Sequence, residues 1–188
     1  MARGTLRIYL GAASGVGTTF AMLAEGQRRA ERGAHVVIGM ADIRSRPRTA
    51  DLLVGLERVT PRYVCASDGT SVPALDIEAI LLRQPNVVLV DELAARGATG
   101  GAAAGRWEDV EPLLAAGADV IATIRIAQIE SLSDVVTRIT GTAESHTVPD
   151  SFVRDAEQIE LIDMTPEALR RRLAHGNIVA SEHVDATI

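Results

Sequence analysis

Residues 11–20 read GAASGVGTTF, directly after the apolar run LRIYL (6–10) and directly before a stretch of helical period. A glycine-rich turn between a strand and a helix aims backbone N–H groups at an anion, and the helix N-terminus adds partial positive charge. The stretch therefore reads as a phosphate-binding loop. Gly11, Gly15 and Gly17 supply the dihedral freedom, Ser14 and Val16 lie between them, and Thr19 stands where a hydroxyl reaches a magnesium ion. Ala12 takes the place of the first glycine of the pattern, and Thr18 takes the place of its lysine. The backbone cradle is present without its cation.

A second segment supports the first. The run VVLVDEL ends in Asp91 and Glu92, where a phosphate-binding fold places the acid that holds magnesium and a carboxylate that polarises an attacking water. A carboxylate at the end of a buried strand is costly unless a cation or hydrogen-bond donors stand beside it, so the pair points to a ligand.

Further apolar runs at 35–39, 86–91, 119–124 and 158–162, with 6–10, predict five buried strands, and helix-period segments separate most of them. The expected fold is α/β, doubly wound, with a mainly parallel sheet of about five strands similar to that of P-loop proteins. Its carboxyl edge gathers the loop, Asp42, Asp91 and Arg125.

The first helix is expected from Thr18 to just before Gly33, a left-handed cap. Others are expected around Leu52, Leu53 and Leu56 after Pro47, around Ile77, Ile80 and Leu81 after a capping Asp76, from Trp107 to Gly117, up to Gly141, and from Thr165 to Gly176. The segment RYVCASDGTSV predicts a small accessory hairpin turning at Asp68–Gly69. Residues 95–105, nearly all Gly and Ala, read as a connecting loop, with a lid over a ligand as the other reading.

With 188 residues the chain fits one domain, 1–188, whose tail after about 176 carries only weak signals. Aromatics at 3% beside a 47% hydrophobic content describe an Ala, Val, Ile and Leu core. A net charge of −6 argues against a nucleic-acid partner. No apolar run is long enough to span a membrane. The single cysteine and the N-terminus without an apolar leader predict a cytoplasmic location. Cys65 is expected to be a small buried hydrophobe, and Arg170 to Arg172 a solvated helix face. The four histidines are scattered without ligand spacing, which argues against a metal site built on them.

The segments LRIYLGAASGVGTTFAML, VVLVDELA, DVEPLLAAGADVIAT, IESLSDVV and ELIDMTPEALRRRLAHGNI, in order along nearly the whole chain, resemble the N-terminal cytoplasmic sensor domain of the KdpD family of potassium-responsive sensor histidine kinases. In that family the domain resembles a P-loop ATPase module and is followed by a universal-stress-like domain, membrane helices and a kinase core; none of those fits within these residues. The family loop resembles GAAPGVGKT, so Ser14 stands for its proline and Thr18 for its lysine. Asp42 to Arg46 stand for a Glu-Thr-His-Gly-Arg element and keep its arginine, Arg46. Ala95 to Gly97 stand for His-Thr-Asn, and Arg125 to Gln128 for Asn-Val-Gln-His.

The resemblance implies a regulatory or ligand-binding module in potassium-responsive two-component signalling, with a sensor-kinase or transporter protein as partner. Its degenerate site leaves four readings open, ATP, another nucleotide, a cyclic dinucleotide or no ligand, with magnesium on Thr19 and Asp91 if a nucleotide binds. One alternative is a weak ATPase in which Arg46 or Arg125 replaces the lysine. Another is a P-loop nucleotide-dependent transferase.

Overall fold

The computed structural model describes residues 2–43, 47–65, 69–97 and 105–174. The expected site residue Arg46, the turn residue Asp68, most of the Gly/Ala stretch and the tail lie outside the described residues.

The five expected strands form and pair in parallel. They are β1 (Leu6–Gly11), β2 (Val36–Met40), β6 (Val87–Val90), β7 (Asp119–Arg125) and β8 (Gln158–Ile162). A two-residue edge strand, β3 (Glu57–Arg58), completes the sheet order β3-β2-β6-β7-β1-β8. It carries no apolar signal because both of its residues are exposed. Strands β2, β6 and the centre of β7 are buried on both faces, which is why they read as unbroken apolar runs rather than alternating ones. The hairpin forms as an antiparallel pair, β4 (Arg62–Cys65) with β5 (Ser71–Ala74), apart from the main sheet. Cys65 is exposed there, contrary to the expectation, because β4 lies on this outer hairpin and buries almost none of its side chains.

Helix α1 (Thr18–Glu31) covers one face through Met22 and Leu23, which pack on Tyr9, Ile38, Leu89 and Ile121. Gly26 lets it come close: a Cβ there would lie 2.5 Å from Leu89 Cδ1. Past its end Gly33 takes the left-handed conformation, with φ +90°. The segment after residue 46 is a short helix α2 (Pro47–Ala50) and a 3-10 turn at 51–53, whose leucines pack on the same cluster.

The opposite face is covered by α3 (Ile77–Leu81), α4 (Arg106–Ala115) and α6 (Asp150–Arg154), burying Ile80, Val110, Leu113 and Phe152. Asp76 caps α3 by accepting the N–H of Ala79 at 3.0 Å. Helix α6 has no counterpart in the sequence reading; five residues are too few to show a period, and Phe152 packs against Trp107 with the ring centroids 5.4 Å apart and the planes tilted by 57°. Helix α5 (Glu130–Thr140) ends at Gly141, φ +72°, and buries none of its residues. Helix α7 (Pro166–Ala174) starts with Thr165 accepting the N–H of Ala168. None of the described helices is long and apolar enough to cross a membrane.

Candidate functional site

The turn after β1 is tight because Gly11 has no side chain: a Cβ there would sit 2.9 Å from Thr18 Cγ2 and 3.3 Å from Val16 Cγ2. Gly15 (φ +83°) and Gly17 (φ +112°) adopt conformations that L side chains rarely take, and Gly17 caps α1. Val16 is buried with the core rather than turned to the crevice. The loop thus turns the N-terminus of α1 toward the carboxyl edge of the sheet.

Asp91, one residue beyond β6, is 1% exposed. Its Oδ1 accepts from the Thr123 hydroxyl at 2.6 Å, its Oδ2 accepts from the Asp42 N–H at 3.1 Å, and the Thr19 hydroxyl is 3.1 Å from both oxygens. Burial pushes the Asp91 carboxyl above the ordinary aspartate range. The Thr123 and Asp42 hydrogen bonds oppose that shift, the negative charge of Glu92 adds to it, and Thr19 opposes it more weakly. Desolvation prevails over these hydrogen bonds.

Glu92 adopts a left-handed backbone, φ +55°, and donates its N–H to the Thr123 hydroxyl at 2.8 Å. A non-glycine residue in that region is worth noting beside a candidate site. Arg106, 6% exposed, donates from Nη1 to the carbonyls of Asp91 at 2.6 Å and Glu92 at 3.2 Å, clamping this turn to α4.

Ser14, Gly15, Thr18, Thr19, Asp91, Glu92 and Arg125 share the walls of one crevice of about 90 Å³, completed by Thr123 and Gln128. Arg125, at the end of β7, donates from Nη1 to Ser14 Oγ at 2.8 Å and from Nη2 to Glu144 at 2.9 Å. Asp42 reaches the crevice with its N–H and lines a neighbouring, larger cleft. Thr19 and Asp91 offer oxygen donors only, the set that suits a hard cation such as magnesium. Among the described residues no group of three or more His, Cys, Asp or Glu is placed to hold a metal.

Three participants escaped the sequence reading. Thr123 is the lone hydroxyl in the strand DVIATI, which was the available signal. Arg106 stands just before the tryptophan of an amphipathic helix and gave none. Arg172 is no part of a solvated face: its Nη1 lies 3.3 Å from the Val16 carbonyl, because α7 packs back beside the loop.

The fold and site define an α/β domain in which a glycine-rich strand-to-helix turn and a buried carboxylate meet at the carboxyl edge of a parallel sheet. A family model described as KdpD, the osmosensitive K+ channel His kinase sensor domain, matches residues 2–188, and the chain belongs to that family. It is 54% identical over 186 residues to the sensor protein KdpD of Mycobacterium tuberculosis, covering 99% of this chain and 22% of that protein. It is 40% identical over 186 residues to the sensor protein KdpD of Escherichia coli, covering 99% and 21%. The chain therefore spans about a fifth of the length of these relatives.

Proposed function

We propose that this sensor domain regulates by binding: a nucleotide phosphate enters the crevice between loop 11–17 and Asp91, with magnesium on Thr19 and Asp91, and is held rather than hydrolysed. The observation that carries this reading is the Thr19–Asp91 contact. The first helical turn after the glycine loop meets a buried carboxylate whose oxygens pair with no guanidinium among the described residues, and a bound magnesium ion would offset the desolvation of that carboxylate.

Thr18 brings no charge to a transferring phosphoryl group, whose stabilisation is the main task of such a site. Magnesium-dependent ATP turnover is therefore expected to stay at the level of a heat-inactivated control, while calorimetric titration with ATP and magnesium gives a saturable isotherm. Failure to bind in calorimetry would remove the reading. Through the family, the output of such binding is communication with a kinase-type partner in potassium-responsive signalling, on the cytoplasmic side.

One observation favours a second reading, a residual ATPase. The Arg125 guanidinium stands against Ser14 in the loop, the one described arginine on the crevice wall. If it replaces the lysine, turnover is measurable and falls at least about tenfold in Arg125→Ala, as the loss of a charge-assisted contact dictates.

A further inference from the structure

We propose that the cleft next to the phosphate crevice is a second ligand site, shaped for a nucleoside monophosphate. It measures about 570 Å³ and opens where β2 and β6 end, with residues of the hairpin β4–β5 on its wall. Small-molecule pockets run from roughly 300 to 1,000 Å³, and open α/β sheets hold ligands at this edge. Glu92 is the one described residue that lines both this cleft and the crevice. The two sites are neighbours that share a wall.

Three kinds of surface line the cleft and match three parts of one ligand. Arg58 and Arg96 form no ion pair with any described residue, which leaves two guanidinium groups for a phosphate. Arg106, more than nine-tenths buried, also lines the cleft, and its Nε has no hydrogen-bond partner among the described residues. Asp42 and Glu92 are acceptors for the hydroxyls of a sugar. Tyr63, 69% exposed on β4, stands with Pro61 and Pro73 as a platform for a flat ring. A tyrosine left this open on a two-stranded hairpin contributes little to the core, and stacking on a ligand gives its ring a role.

The test is an amide NMR titration of the full chain with AMP as the probe, and with adenosine and ribose 5-phosphate in parallel arms. AMP is expected to shift the amides of Tyr63, Val72 and Arg96, and each fragment to bind at least about tenfold more weakly. The double variant Arg58→Ala/Arg96→Ala, both at accessible positions, is expected to lose at least about tenfold in AMP affinity. It should keep the response of loop 11–19 to ATP and magnesium.

Should that variant fail to fold, Tyr63→Ala on the outer hairpin is expected to show the same loss. Shifts confined to residues 11–19 and 123–128, unaltered affinity in the folded variants, or ribose 5-phosphate binding as well as AMP would overturn the proposal. Because the crevice is read from its own amides, these outcomes are separable from failure of the magnesium nucleotide to bind there.

Discussion

At the scale of single residues, Thr18 and Asp91 hold opposite positions in the chemistry of the crevice. Under the proposed reading, Thr18 stands where a phosphate-binding loop carries its cation. Thr18→Lys is expected to raise ATP affinity by about tenfold or more, since a charge-assisted hydrogen bond contributes roughly 1.5–3 kcal/mol. The gain should shrink at high salt. Calorimetry of both proteins checks it, and an unchanged isotherm for the lysine variant would mean that the loop no longer serves a phosphate.

Asp91 holds its proton more tightly in the folded chain than in the unfolded one. The folded state therefore binds more protons from about pH 3.9, the ordinary aspartate value, up to the raised value, and this residue's contribution to stability falls as pH rises through that window. Asp91→Asn removes the titration. Urea melts between pH 4 and 8 are expected to show the variant gaining on the wild type as pH rises, while its magnesium-dependent ATP binding is lost. A constant difference across that range would contradict the assignment.

At the scale of elements, two contacts fix the crevice. The first is the approach of α1 to the sheet. Gly26→Ala forces a methyl group to 2.5 Å from Leu89 Cδ1, and overpacking of this kind is expected to cost about 1–3 kcal/mol by urea unfolding. Because α1 carries Thr19, the same shift should weaken nucleotide binding. The second contact is the Arg106 clamp, which joins α4 to the turn after β6. Arg106→Ala leaves the Asp91 and Glu92 carbonyls without their shared donor and is expected to destabilise by about 1–3 kcal/mol. Increased amide exchange should appear at residues 91–97 rather than in β1, since only that turn loses its anchor.

At the scale of the whole molecule, the sheet order sets β7 between β1 and β6, so that Thr123 reaches both Asp91 and Glu92 from the intervening strand. Helix α5 stands outside this arrangement. Leu132, Val135 and Ile139 share a stripe at helical spacing and are exposed, Ile139 at 79%. Ile139→Glu is expected to move the melting temperature of this chain by no more than about 2 °C, the consequence of a change within about 0.5 kcal/mol at a surface position. A larger loss would show that the stripe packs within the domain.

The sequence by itself determined the five parallel strands, the helix caps at Asp76, Thr165 and Gly33, and the pairing of a glycine loop with Asp91. Each of these follows from local rules: burial on both faces gives unbroken apolar runs, left-handed turns need glycine, and a carboxylate closing such a run needs donors. Only the tertiary structure decided which charges meet. Arg106, Thr123 and Arg172 reach the loop and the Asp91 turn through contacts made when β6, β7, α4 and α7 come together, and long-range pairing leaves no periodic trace in any one segment. The same holds for Cys65, whose exposure depends on the hairpin lying apart from the sheet, and for the division of the carboxyl edge into a crevice and a larger cleft that share Glu92.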